Sequence, residues 1–382
     1  MKFAEMDPKP AILFISKPEL TSKLYNTTIK DHFQIIHYDF ATGDRESFLD
    51  FLKDNFDPQL APLTAIYGGF PAFHPIGGLT AELLDDSRFP KNSLKCIVLC
   101  SRGVNGIDFE ALKKYKVKLY NYTDEEGPAT ECVGAIEIPG LVGNDVADCA
   151  LWHVIEGYRK FSYQQLHLRK TGHTLEARRS AAGEDTKSTK FMFGESLKSY
   201  DVKSPKGQKG LILGLGGIGK QIALKLQYGL GMEIHYAKRT PDSTVPWTFH
   251  ALDQTLYPKL KEFTTIVVAL PGTPETKHLI DSRFLHACAR DVIFVNIGRG
   301  VIFEPTALEQ AIESTQIRHF GGDVFYHEPD VEKWLLANDE SVTITPHIGS
   351  GTKGNYYQSC EFALTNIIQE VLEKSEGHSR VV

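Results

Sequence analysis

Three short segments in the last quarter of the chain carry residue types that could do chemistry together. They are Asn296-Ile297-Gly298-Arg299-Gly300, Gly322-Asp323-Val324-Phe325-Tyr326-His327-Glu328-Pro329 and Thr345-Pro346-His347-Ile348-Gly349-Ser350. Each follows a β-type run and turns on Gly or Pro, and open α/β sheets place ligands at such strand ends. Together they offer a guanidinium, a carboxylate and an imidazole. Arg299 suits a substrate carboxylate and could polarise a neighbouring ketone, while His347 could donate a proton to an oxygen that becomes negative as hydride arrives. A carboxylate such as Glu328 beside that ring would favour its protonated form and fix its orientation, since free histidine titrates near ~6.5. Reduction of a 2-oxo acid needs such a set. Singly, each residue has an ordinary reading as surface charge, turn carboxylate or buried histidine. With 14 histidines in the chain, and His319 and His327 nearby, proximity in sequence does not by itself select His347.

A hydride source is suggested upstream. Leu211-Ile212-Leu213-Gly214-Leu215-Gly216-Gly217-Ile218-Gly219-Lys220 reads as a buried strand, a G-x-G-x-x-G turn and a helix continuing through Gln221, Ile222, Ala223 and Leu226. Gly214 permits the tight turn, Gly216 lets the backbone approach a pyrophosphate, and Gly219 allows close helix–strand packing. Gly217 and Ile218 open the helix, whose unpaired N–H groups favour an anion. The next strand, Met232 to Tyr236, leads into Ala237-Lys238-Arg239-Thr240, where a dinucleotide fold usually has a carboxylate for the ribose. Lys238, Arg239 and Thr240 instead suit a 2′-phosphate, so NADPH/NADP is the expected cofactor and NAD the second choice.

The surrounding elements alternate. Strand-like runs at Ala11–Ile15, Cys96–Leu99, Gly210–Leu213, Glu233–Tyr236, Thr265–Leu270, Val292–Asn296 and Val342–Thr345 are separated by helix-like ones, predicting parallel sheets of βαβ units. A length of 382 residues suggests two domains with a cleft. The turn-rich stretch 122–144 reads as the boundary, followed by an apolar-striped helix capped by Asn144 or Asp145. Residues 169–209 read as a long surface connection. A composition of 42% hydrophobic and 24% charged residues is that of a globular protein, and a net charge of -6 gives no global positive field for nucleic acid or anionic membrane. Neither a signal-peptide core nor a membrane-spanning run is evident, and the six cysteines form no C-x-x-C pair, so a cytoplasmic protein with reduced thiols and no metal site is expected.

Further segments complete a pattern: Leu94-Lys95 with Ser101-Arg102-Gly103-Val104-Asn105-Gly106-Ile107-Asp108, Asn144-Asp145-Val146-Ala147-Asp148, and Leu270-Pro271-Gly272-Thr273-Pro274-Glu275-Thr276. With the catalytic segments they make the chain, from about residue 94 to 365, resemble the D-2-hydroxyacid dehydrogenase family, including its glyoxylate/hydroxypyruvate reductases. The resemblance implies an α/β fold in which a Rossmann dinucleotide-binding domain (141–349) is inserted into a smaller flavodoxin-like substrate domain (1–140 and 350–382). It makes Arg299 the substrate binder, Glu328 the partner of the histidine and His347 the acid/base. It places Leu270, Pro271, Thr276, Ile297 and Asp323 along the cofactor with Gly349 near it. Gly68 and Gly69, in Tyr67-Gly68-Gly69-Phe70-Pro71, stand where the family binds the substrate carboxylate through backbone N–H groups. A homodimer paired through the nucleotide domain and the 144–160 helix is implied as well.

Departures from the pattern are the basic Ala237–Thr240 segment and longer 124–141 and 169–209 stretches. The expected activity is NADPH-favoured reduction of a small 2-oxo acid to the D-2-hydroxy acid, the side chain being read by loops that could include Tyr67, Phe70, Phe73 and Leu141. The alternative is a dinucleotide-sensing scaffold of the corepressor type without significant turnover. A formate-type dehydrogenase lacks the acidic partner that Glu328 supplies here.

Overall fold

The computed structural model describes residues 9–40, 44–104, 106–123, 131–133, 136–138, 140–198 and 200–382. The chain divides into two compact units, 1–126 with 352–382, and 127–351.

In the first unit, β1 (Ala11–Ile15), β2 (Gln34–Tyr38), β3 (Leu63–Gly68), β4 (Cys96–Leu99) and β5 (Lys118–Tyr120) form a parallel sheet in the order β2-β1-β3-β4-β5. This is the flavodoxin-like order. Strands β1, β3 and β4 are buried at every residue, which is why they read as continuous apolar runs rather than as alternating ones. One face is covered by Phe48, Leu49 and Leu52 of the helix Arg45–Asn55. The other is covered by the returning C-terminal helix Lys353–Ile368, whose Cys360, Ala363, Leu364 and Ile367 pack with Ile12, Phe14 and Val98. That apolar stripe explains why the end of the chain folds back onto its beginning.

The second unit opens with an antiparallel hairpin, β6 (Glu131–Val133) and β7 (Ile136–Ile138). Seven parallel strands follow: β8 (Lys209–Leu213), β9 (Glu233–Lys238), β10 (Thr248–Ala251), β11 (Thr265–Val268), β12 (Val292–Asn296), β13 (Ile317–Gly322) and β14 (Val342–Ile344). Their order is β10-β9-β8-β11-β12-β13-β14. The chain starts in the middle at β8, winds one way to β10, then returns to β11 and winds the other way. The glycine loop after β8 therefore sits at the topological switch point, where this architecture binds dinucleotides.

Three expectations need correction. The boundary falls at 126/127 and 351/352 rather than 140/141 and 349/350, because β7 packs against the helix Gly217–Leu224 and carries the hairpin into the second unit. The long helix runs Leu141–Arg159 from Gly140 as its cap, so Asn144 and Asp145 lie inside it. Gly140, at φ +89°, supplies the turn that a polar cap was expected to make. Finally, the stretch 169–209 is not wholly a bare connection: it takes in the end of one helix, Phe161–Thr171, and a second, Thr174–Ala181, packed on it. Small buried residues (Ala177, Ala181) and a His167 Nδ1–Ser180 Oγ contact at 2.7 Å join them, a pairing with little apolar periodicity to betray it.

Candidate active site

The glycine loop is shaped by close backbone approach. Gly214 has φ +95°, and a Cβ there would lie 2.8 Å from the Ala269 carbonyl oxygen. A Cβ on Gly219 would lie 2.2 Å from the Gly214 oxygen, so the helix Gly217–Leu224 can begin hard against the end of β8 only without one. Gly216, which caps that helix, would meet nothing within 4 Å. Open space thus faces the first-turn N–H groups, with Gly217 and Ile218 half-buried beside it. The residues fit a dinucleotide pyrophosphate there.

At the other end of this site, β9 runs on to Lys238, which is half-buried, and Arg239 and Thr240 follow exposed. The expectation of a carboxylate-free strand end holds for 237–240 but not just beyond. Asp242 stands there, ion-paired to Lys220 at 3.0 Å and accepting from the Thr244 backbone N–H at 3.0 Å. The Thr244 hydroxyl, and then its N–H and Lys220, overcome partial burial and hold the Asp242 carboxyl at about 2. Its negative charge is therefore already matched by Lys220.

The catalytic candidates lie at the ends of β12, β13 and β14. Buried Asn296 ties the first turn: its Oδ1 accepts from Gly298 N–H at 3.1 Å and its Nδ2 donates to the Arg299 carbonyl at 3.0 Å. Glycines hem Arg299 on both sides. A Cβ on Gly298 would lie 2.5 Å from the Leu270 oxygen, and one on Gly300 would lie 2.0 Å from the Phe325 carbonyl group. Across the loop, a Cβ on Gly272 would meet Arg299 Cγ at 2.9 Å. The guanidinium donates to the Gly298 carbonyl at 2.7 Å. Burial pulls the Arg299 pKa down, partly countered by the Glu328 charge, though a guanidinium stays protonated.

Glu328 accepts from the Phe325 N–H at 2.8 Å and meets His347 Nδ1 at 2.9 Å. Burial is the largest influence on its carboxyl and raises it. The His347 hydrogen bond, the Phe325 N–H and the charges of His347 and Arg299 together outweigh burial and leave Glu328 below the usual carboxylate range. His347 has φ +52°, a left-handed conformation unfavourable for a residue with a side chain. Buried Asp323 holds it there by accepting from Thr345 Oγ1 (2.6 Å) and from the N–H groups of Ile348 (2.9 Å) and Gly349 (2.8 Å).

Along the expected cofactor wall, Leu270 and Ile297 are buried and Pro271 is exposed. Thr276 closes its own loop by donating to the Pro271 carbonyl at 2.6 Å. In the first unit, Gly68 ends β3 with no room for a side chain, since a Cβ would lie 2.7 Å from Leu99 Cδ2. The Gly69 N–H donates to the Ile15 carbonyl at 2.9 Å, so this donor of the expected carboxylate-binding pair is already committed. Tyr67 and Phe73 do not belong to a binding loop. Both are core residues, packed there by the alternation of β3 and by the following turn, whereas Phe70 is exposed. Asn296, Gly272, Thr345 and Lys220 with Asp242 were not picked out beforehand. Only their places beside Arg299, His347 and the glycine loop could have signalled them. Among the described residues, no group of three or more His, Cys, Asp or Glu side chains could hold a metal ion, and no helix is long and apolar enough to cross a membrane.

A parallel sheet with a glycine loop at its switch point, and Arg, Glu and His at its strand ends, defines a nicotinamide-dependent dehydrogenase. Comparisons narrow the class. Residues 171–349 match the family model described as "D-isomer specific 2-hydroxyacid dehydrogenase, NAD binding domain". A Saccharomyces cerevisiae protein, placed among the 2-hydroxyacid dehydrogenases by its name, is 48% identical over 98% of each chain. Glyoxylate/hydroxypyruvate reductase B of Cronobacter sakazakii is 30% identical over 81% of this chain and 86% of its own. In three dimensions, the holo form of Rhodotorula graminis D-mandelate dehydrogenase shares the fold at a TM-score of 0.78, with 23% identity and 98% of each chain covered. The chain belongs to the D-isomer specific 2-hydroxyacid dehydrogenase family and is an NAD(P)-dependent oxidoreductase.

Proposed function

We propose that this protein reduces a small 2-oxo acid to the D-2-hydroxy acid and favours NADPH over NADH. The observation that carries the reading is the 2.9 Å pair of His347 Nδ1 and Glu328, formed within the electrostatic reach of Arg299. The bound dinucleotide supplies the hydride. Arg299 holds the substrate carboxylate and draws electron density from the ketone, its partial desolvation strengthening that pull. With Nδ1 engaged by Glu328, His347 delivers the proton from Nε2 to the developing alkoxide, and the Glu328 charge stabilises the imidazolium that gives it up. Lys238, Arg239 and Thr240 at the end of β9 support NADPH, since two cations and a hydroxyl match a 2′-phosphate.

Steady-state oxidation of NADPH and NADH with a panel from glyoxylate and hydroxypyruvate to branched and aromatic 2-oxo acids tests this. The panel spans the small substrates named for the Cronobacter relative and the aromatic one named for the Rhodotorula enzyme. His347→Ala should lower kcat by about 10²–10⁴ with NADPH affinity unchanged. Lys238→Ala with Arg239→Ala should raise the KM for NADPH by roughly tenfold or more and leave that for NADH in place. NADPH binding without turnover on any 2-oxo acid would instead favour the dinucleotide-sensing scaffold.

We further propose a homodimer. Trp152, Phe161, Leu166, Leu168, Phe191 and Phe193 are exposed large apolar residues within one stretch of the second unit, as a surface met by a second copy would require.

A further inference from the structure

Behind the turn that carries His347 lies a row of buried polar groups with no place in the chemistry above. Lys160, at the end of the long helix, is 2% exposed, and its Nζ lies 2.8 Å from His319 Nδ1 and 2.7 Å from the Glu340 carbonyl. His319 Nε2 lies 2.9 Å from Thr343 Oγ1, and the same hydroxyl lies 2.7 Å from His153 Nδ1. His153 Nε2 lies 3.3 Å from Thr345 Oγ1, which donates to Asp323 at 2.6 Å. His153 and His319 are 0% and 1% exposed. The backbone makes room for the row: a Cβ on Gly321 would lie 2.6 Å from His153 Cβ and 2.8 Å from its Nδ1.

The direction of every bond in the row is fixed by its ends. Burial holds both imidazoles neutral, with His153 down to about 3 and His319 well below the ordinary histidine value, so each ring has one donor and one acceptor nitrogen. The Thr345 hydrogen points at Asp323, hence His153 must donate from Nε2 and accept at Nδ1. The Thr343 hydroxyl must then donate to His153 and accept from His319 Nε2. His319 Nδ1 is left to accept from Lys160, which donates to the Glu340 carbonyl as well. All donors face one way.

We infer that Lys160, His319, Thr343, His153 and Thr345 form a one-directional hydrogen-bond wire ending on Asp323, and that His153 and Thr343 are positioning residues for His347. Hydrogen bonds aligned in series polarise one another. The wire orients the Thr345 hydroxyl on Asp323, the carboxylate that grips the N–H groups of Ile348 and Gly349 and keeps the preceding His347 in its left-handed conformation. Removing the Thr343 hydroxyl takes the partner from His153 Nδ1 and His319 Nε2 at once, which is costly in a dry interior. The kinetic consequence rests on the proposed reductase activity; the wire itself does not.

The test uses the full-length protein with 15N-labelled histidine, in wild type, Thr343→Val and Thr343→Ser. Long-range 15N–1H correlation at pH 7 should show His153 and His319 neutral and protonated on Nε2. Thr343→Val keeps the shape but removes the bridging hydroxyl. It should displace the His153 and His319 ring signals and shift that of His347, two residues past Thr345 at the end of the wire. It should also lower kcat by about tenfold with the KM for NADPH unchanged. Thr343→Ser should restore both readouts. Either ring protonated on Nδ1, or charged, in the wild type overturns the wire. Unmoved His347 signals and wild-type kcat in Thr343→Val overturn the positioning role. A wild type inactive on every 2-oxo acid would sink the proposed function while the ring signals still decide the wire.

Discussion

At the scale of single residues, Glu328 carries the most consequence, because its carboxylate faces His347, the Phe325 N–H and the Arg299 charge at once. Its pKa is depressed in the folded state relative to an unfolded value near ~4.3. The stabilisation it gives is thus fully present above that unfolded value and is lost as the pH falls through the lower folded one. Glu328→Gln should therefore unfold at lower urea concentration than wild type at pH 7, with the gap closing below about pH 4. A gap of equal size at both pH values would show that the charge has no part in it. The same variant should lose about one to two orders of magnitude in kcat at pH 7, because the imidazolium no longer faces a carboxylate.

Elements position these side chains through places where backbones touch. The Gly298-Arg299-Gly300 turn fits only because Gly300 abuts the 325–326 peptide, so Gly300→Ala has to displace backbone rather than a flexible side chain. It should destabilise the fold by about 2 kcal/mol or more in urea unfolding and lower kcat/KM, since the segment that moves leads directly to Glu328. Gly216→Ala makes the contrast. Its methyl meets nothing within 4 Å, so unfolding should be unchanged while NADPH binding weakens, the methyl standing where phosphate oxygens approach. If both variants unfolded alike, backbone contact would not be what distinguishes the two glycines. Continuous apolar runs in the sequence located β11 and β12 because both are buried at every residue. Within 169–209 that signal missed Thr174–Ala181, which packs on Phe161–Thr171 through two alanines and a His–Ser contact rather than an apolar stripe.

For the whole molecule, the exposed apolar residues between 152 and 193 mark the proposed dimer surface. Leu168→Glu combined with Phe193→Glu should convert a dimer to a monomer in light scattering at micromolar concentration, with secondary structure retained by circular dichroism. A wild-type mass of one chain would refute the dimer outright.

What the sequence determined by itself was local or periodic: the glycine loop, because only glycine fits a backbone pressed on a backbone, and the buried parallel strands; Arg299, Glu328 and His347 stood out as a candidate set only through the family resemblance of the segments that carry them. What the tertiary structure alone decided was which distant groups meet. Tyr67 and Phe73 became core rather than pocket, Asp242 found Lys220, and the Gly69 N–H was claimed by Ile15. Lys160 and His153, from the long helix, were aligned with His319 on β13 and Thr343 on β14. Such contacts arise from packing a helix onto a sheet more than a hundred residues away in the chain, and hydrogen bonding has no sequence period by which to announce them.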